Sequence, residues 1–272
     1  MDRRTGPGAA PPALAVWWSG PGSAGPAALD ALLVHRSVRS GAERTAPAAE
    51  LLTAAHAAYG HAPAYHLFLP ADWHERPEVR AAVAWRQEAA RRAGLTAALE
   101  RLRHEWTPDA GLPAPTGRLL FRAEPDEVFA DLFRRVLPGS LDATSRTAAA
   151  RFGAEAQARA DLALHREGML GERAWWCTVH TPDGEPVGCT VPSRNSAFPV
   201  AGHLGVLPEH RGRGYAEEIP AGTTRLLAVE TAAGRVRADT DLANTPISAA
   251  FARPGYRTTA RRLVLSAQEP PE

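Results

Sequence analysis

The sequence of 272 residues contains no lysine, so all 31 of its basic residues are arginine. That removes any internal lysine as an acyl acceptor and excludes a Walker phosphate loop, which requires one. Cysteine is almost missing as well. Cys177 and Cys189 are the only two, and both fall on neighbouring strands of one expected hairpin. Without a secretory signal they read as reduced core residues, and two thiols without clustered histidines make no zinc site. The formal net charge is only +1, with the arginines spread along the chain, so there is no field to gather nucleic acid. No apolar run approaches the ~20 residues that cross a bilayer. Arg3 and Arg4 precede a mildly apolar stretch, but Pro11 and Pro12 interrupt it and no small-residue cleavage pattern follows. The expectation from these absences is a cytoplasmic chain with no membrane, nucleic-acid or metal partner, and the oligomeric state expected is a monomer or homodimer.

What remains is ordinary for a soluble globular protein: 44% hydrophobic and 22% charged residues. The length suits two modest domains. Residues 109–117 (DAGLPAPTG) lack helical or strand periodicity and read as a connection. The expected division is therefore an N-terminal domain over 1–115 and a C-terminal one over 116–268.

In the C-terminal part, residues 119–123 predict a strand. A helix then opens near Pro125, with Val128, Phe129, Leu132, Phe133 and Val136 on one face. A second helix is expected over 148–165, with Phe152, Leu162 and Leu164 available for packing. An Asp183-Gly184 turn joins two β-rich runs, 174–180 and 186–192, as a hairpin, because glycine supplies the positive φ of a tight turn. A strand over 203–206 follows, then a glycine-rich turn, a helix over 215–233, a strand over 236–240, a helix over 246–253 and a strand over 260–266. The succession is a mixed α/β sheet with helices on both faces. Pro220 and Gly222 fall inside the helix after the turn, where proline costs ~3 kcal/mol or kinks the axis.

The N-terminal part shows a strand over 65–70, a helix over 77–92 and a strand over 100–106. Its tail repeats that of the C-terminal part: Gly94 and Gly255 lie 161 positions apart, as do Leu102 and Leu263. A duplicated fold with a degenerate first copy and chance recurrence of a common pattern are both open readings of that match.

The segment 202–216, GHLGVLPEHRGRGYA, places Gly212 and Gly214 where a strand gives way to a helix. The first amides of a helix have no internal partner, the helix dipole adds partial positive charge there, and glycine lets a diphosphate approach the backbone. Position 217 holds glutamate, so this is not the dinucleotide fingerprint. VLPEHRGRGYA resembles the coenzyme A pyrophosphate loop of the GNAT N-acetyltransferase superfamily, with Glu209 where that family usually carries Gln or Arg. Residues 239–257 resemble the family's second acyl-coenzyme A element through Asn244, Phe251, Gly255 and Tyr256.

The resemblance implies a GNAT fold over roughly 118–266, with a partial or degenerate GNAT-like N-terminal half. It implies an N-acetyltransferase that moves an acetyl group from acetyl-coenzyme A to the primary amine of a small molecule by direct attack, without a metal. Leu204, Gly205 and Val206 would pair with the pantetheine arm. Arg211, Gly212, Arg213, Gly214, Tyr215 and Ala216 would hold the diphosphate, with Asn244 and Phe251 on the other side of the arm. His203, Glu209, Asp239 and Asp241 are the candidate bases. The family's usual acid is a tyrosine at the place of Phe251, which cannot donate, so Tyr215, Ser248 and Tyr256 become the candidate acids. Other readings are a non-catalytic acyl-coenzyme A sensor or structural module, a mycothiol-synthase-like enzyme, and a protein amine acetyltransferase.

Overall fold

The computed structural model describes residues 12–19, 25–38 and 40–268; the amino-terminal segment read above for export lies largely outside them. The chain forms two compact units, Met1–Glu100 with Ala260–Glu272, and Arg101–Thr259. Among the described residues no helix is long and apolar enough to cross a membrane.

The first unit holds strands β1 (Ala13–Trp18), β2 (Ala28–Val34) and β3 (Ala64–Pro70), helices α1 (Gly41–Tyr59) and α2 (Pro77–Arg92), and the start of β4 (Ala97–Trp106). It is completed by the end of β10 (Arg257–Ser266), which pairs antiparallel with β3. β1 and β2 are antiparallel, whereas β2 and β3 run parallel around the α1 crossover. Leu29, Leu32, Leu52, Tyr65, Val83, Trp85 and Leu263 form its core. α1 begins cleanly because Ser40 caps it, its Oγ accepting from the Glu43 amide at 3.1 Å.

The second unit runs β5 (Leu120–Arg122), α3 (Asp126–Val136), α4 (Ala143–Phe152), α5 (Ala154–Ala163), a π-helical turn (Leu164–Gly168), β6 (Cys177–His180), β7 (Pro186–Arg194) and β8 (Pro199–Val206). It continues with α6 (Tyr215–Thr231), β9 (Val236–Asp241) and α7 (Thr245–Ala252). The strand order is β4-β9-β8-β7-β6-β5, with β8 and β9 parallel and the other pairs antiparallel. Helices cover both faces of this mixed sheet. Phe129, Leu132, Phe133 and Val136 of α3 pack with Cys189 and Val191, while Ile219 of α6 packs with Val179 and Val187, and Leu227 with Ala238 and Phe251.

Four expectations need correction. The helix expected over 148–165 is two helices, because Gly153 takes φ 86°, which ends α4 and starts α5. Phe152 is 59% exposed and belongs to no core cluster, with only the Arg151 guanidinium over its ring at 4.8 Å. The strand expected from residue 174 starts at Cys177, after a 3₁₀ turn at Arg173–Trp175. The helix after the glycine turn runs unbroken through Pro220. Gly222 in that helix has a packing reason, since a Cβ there would meet Phe121 Cζ at 2.3 Å.

The same succession occurs twice along the chain: a parallel strand pair joined by a helix, then a helix, a positive-φ glycine and a strand. Gly94 and Gly255 take φ 93° and 94° at equivalent places. Pro47 of α1 and Pro220 of α6, 173 positions apart, both lie in the second turn of their helices.

β7 and β8 approach so closely that glycine is required. A Cβ on Gly188 would sit 2.0 Å from the Gly205 carbonyl oxygen, a backbone atom. Gly188→Ala is expected to cost about 1–3 kcal/mol through overpacking, and thermal unfolding should register it at roughly 2–4 °C per kcal/mol. Gly234→Ala, where a Cβ meets nothing within 4 Å, should leave the melting temperature in place; equal melting temperatures for the two variants would contradict the close approach.

Candidate functional site

β8 and β9 share one paired position, Val200 with Arg237. Beyond it each strand is committed to its other neighbour. Leu204, Gly205 and Val206 pair with Thr190, Cys189 and Gly188 of β7, while Asp239, Thr240 and Asp241 pair with Arg103, Leu102 and Arg101 of β4. The facing edges of β8 and β9 are thus left without a ladder, which opens a cleft in the sheet whose β8 side ends at Val206.

The chain leaving Val206 is pinned before it reaches the helix. Leu207 is fully buried and its amide donates to the Val187 carbonyl at 2.9 Å. His210 is buried, with its ring edge-on to Tyr215 at 6.2 Å and its Nε2 3.5 Å from Glu185. Arg211 spends its guanidinium on the carbonyls of Val206, Pro138 and Val136 at 3.2, 2.7 and 2.8 Å. It therefore staples the loop to the end of α3, and phosphate contact would have to compete with these bonds.

Gly212 and Gly214 then take φ 77° and 85°. A Cβ at either would meet nothing within 4 Å, so the left-handed backbone, not crowding, is what calls for glycine. Gly214 is the N-cap of α6 and supplies no side-chain cap. Among the described residues the amide of Arg211 donates to Pro208 and that of Glu217 to Gly214, whereas the amides of 212–216 find no internal acceptor. They form a run of donors at the positive end of a 17-residue helix.

Arg118, which carried no role in the sequence reading, braces this loop. Its Nη2 donates to the Arg213 carbonyl at 2.9 Å, its Nη1 lies 3.3 Å from Glu218, and its guanidinium sits 5.0 Å above the Tyr215 ring. The residues lie 95 positions apart, so no local pattern could have revealed the contact.

Three of the four candidate bases hold guanidinium partners. Asp239 faces Arg103 at 3.2 Å and Asp241 faces Arg101 at 3.1 Å. Asp241 also accepts from the Ala143 amide at 2.7 Å. Glu209 accepts from Arg135 at 2.7 Å, and its own backbone amide, then that guanidinium, hold its carboxyl below the usual range. His203 differs. Its ring lies against Phe133 at 4.5 Å and His165 at 5.9 Å, and its Nε2 is sealed from solvent with no partner. Burial, with the neighbouring His165 adding to it, pushes its pKa down to about 4, so the ring is neutral at pH 7.

On the other side of the cleft, Asn244 is the N-cap of α7 and its amide donates to the Asp241 carbonyl at 2.9 Å. Phe251 is buried, stacked on His104 at 5.6 Å and edge-on to Tyr256 at 4.9 Å. The Tyr256 hydroxyl is inside the core at 2.9 Å from Thr224, and burial raises its pKa. Ser248 lies one turn before Phe251 on α7 and is half-buried, and Tyr215 opens α6 beside the free amides. The structure thus gathers residues 204–206 and 211–216 along one edge, and Asp239, Asp241, Asn244 and Ser248 at the end of β9 and the start of α7.

No protein-family model and no curated protein matches the sequence. Solved structures do match the fold. A GCN5-related N-acetyltransferase from Sphaerobacter thermophilus superposes with TM-score 0.53 at 14% identity, over 88% of this chain and 72% of that one. A tandem GNAT protein from the clavulanic acid biosynthesis pathway gives TM-score 0.52 at 15% identity, over 90% and 77% of the two chains. A GCN5-related glucosamine N-acetyltransferase region in a fungal multi-domain β-N-acetylglucosaminidase gives 0.51 at 14%, over 87% of this chain and 29% of that one. With the parted β8 and β9 and the glycine loop at the start of α6, these likenesses establish that the chain has the fold of the GNAT acetyltransferases.

Proposed function

We propose that the second unit transfers an acyl group, acetyl in the simplest case, from acyl-coenzyme A to the primary amine of a small molecule. The observation that carries this reading is the run of unpaired amides at 212–216, set where β8 leaves β9. A diphosphate satisfies such donors without a cation, and an extended amide-bearing arm satisfies the vacant edge of β8 at residues 204–206. The thioester supplies an activated carbonyl. The amine nitrogen attacks that carbon, the carbon–sulfur bond breaks, and the thiolate leaves with a proton.

The residues near the cleft divide this work. The ammonium form of the acceptor must first shed a proton, and the carboxylates of Asp239 and Asp241, each paired with an arginine near the end of β9, are the acceptors to which a water can relay it. Neutral His203 offers an acceptor nitrogen, but with a pKa of about 4 it orients an N–H rather than keeping its proton. Tyr256 is engaged inside the core and Phe251 has no proton to give. Of the remaining candidate acids, Tyr215 opens α6 beside the diphosphate loop, so donation to the departing sulfur is assigned to Ser248 on α7.

The first unit reads as a copy of the same fold without the anion device. Ser40 caps α1 with its own oxygen, so the donors that α6 leaves open are partly answered in α1. A second reading, a non-catalytic acyl-coenzyme A sensor, is favoured by phenylalanine at 251; it requires thioester binding with no turnover on any amine.

Coenzyme A at 100 times its Kd should stabilise the native chain by about 2.7 kcal/mol, seen as a raised melting temperature. Gly214→Val, which strains a φ of 85° at an exposed loop, should abolish that rise while the ligand-free protein still unfolds cooperatively; an undiminished rise in the variant would detach the loop from the cofactor. In turnover assays across an amine panel, Ser248→Ala should lower kcat by roughly a hundredfold, the low end for a lost general acid, with little change in KM for the thioester. An unchanged kcat would pass the role to water.

A further inference from the structure

A cavity of about 260 Å³ opens beside the cleft in the second unit, lined by Asp126, His165, Arg166, Leu170, Arg173 and Trp176 among others. It is small beside the roughly 300–1,000 Å³ of sites for drug-sized ligands, and so suits a guest the size of an amino acid. The π-helical turn at Leu164–Gly168 carries His165 and Arg166 into its wall, and such turns recur at functional positions.

Its charge is unbalanced. The Asp126 carboxylate takes Arg166 Nη1 at 2.7 Å and Arg173 Nε at 2.8 Å, so two guanidiniums share one carboxylate. Arg173 is fixed in place by further contacts: Nη2 donates to the Glu124 carbonyl, and the guanidinium stacks 4.9 Å from Phe129 and 4.7 Å from Trp176. Arg166 is held by Asp126 alone among the described ion pairs, which leaves donors to spare. A surplus positive charge over an aromatic floor matches an anionic group attached to an apolar body. Planar guanidiniums favour a carboxylate because they can bind it through two parallel bonds.

The cavity adjoins the β8 edge through two histidines. His165 lines it, and its ring lies 5.9 Å from His203, the residue before Leu204 on β8. Each ring keeps one nitrogen sealed from solvent and without a partner, Nδ1 of His165 and Nε2 of His203. A second cavity, about 340 Å³ and lined by Arg194, Phe198 and Arg235, lies at the first residues of β8 and β9, away from the glycine loop, and its Arg235 is already paired with Glu105.

We propose that this cavity holds the acyl acceptor and that the acceptor is an amine bearing a carboxylate, its acid on Arg166 and Arg173 and its amino group directed past His165 toward β8. The inference rests on the acyl-transfer reading and names its substrate class.

Calorimetric titration of the full chain, saturated with coenzyme A, tests it with glycine, leucine and phenylalanine, each against its own amide. At least one acid should bind about tenfold more tightly than its amide, the scale of one charge-assisted contact. Arg166→Gln should bring the pair to near parity with the melting temperature unchanged, and Arg166→Lys should keep part of the preference. Equal binding of acid and amide, no binding of any acid at millimolar concentration, or a preference that survives both Arg166→Gln and Arg173→Gln would overturn the proposal. Coenzyme A binding is read in the same samples: its retention alongside any of those results removes the acceptor assignment alone, whereas its loss in the wild-type chain removes the transferase reading as well.

Discussion

β8 does not pair with β9 beyond Val200, and the helix that follows it begins with donors that no described residue answers. The fold keeps both in place by fixing everything around them. Leu207 and His210 anchor the loop from inside, Arg211 ties it to the end of α3, and Arg118 braces it from outside. The close approach of Gly188 to Gly205 fixes the strand that leads into it. A rigid set of donors beside a vacant strand edge loses little on binding an extended diphosphate ligand, because its ordering is complete beforehand.

What could be read from the sequence was whatever local chemistry determines. Helix α2 was legible to its ends, since Pro77 sits at its first position and Gly94 follows its last turn. The hairpin of β6 and β7 was legible from Asp183-Gly184, and the anion loop from two glycines at a strand-to-helix step. The first three elements of the chain were not. β1 follows directly on the prolines at 11 and 12, β2 keeps no strict period of two, and α1 carries Pro47, so none is marked as plainly as α2. The break between α4 and α5 depends on the φ of a single glycine, and the π-helical turn has no sequence signature.

The site was legible as a loop but not as a chemical environment. Arg101, Arg103 and Arg135, which occupy Asp241, Asp239 and Glu209, come from 74 to 140 positions away in the chain, and the His165 and Phe133 rings packed on His203 come from 38 and 70 positions away. The placement of Tyr256 against Thr224 likewise depends on how α6 and the end of α7 pack. The two units differ at the start of their equivalent helices. Their helices α1 and α6 carry proline in the same turn, yet one starts at a capping serine and the other at a bare glycine. The α6 start therefore keeps donors open that the serine of α1 partly answers.

The most direct test of this account follows the backbone amide resonances of the isotopically labelled chain as coenzyme A is added, with pantetheine as a control that lacks the diphosphate. The account predicts that the amides of residues 212–216 shift together with coenzyme A and stay unmoved with pantetheine, while those of residues 204–206 respond to both. Saturating coenzyme A that leaves the 212–216 amides unshifted would contradict it.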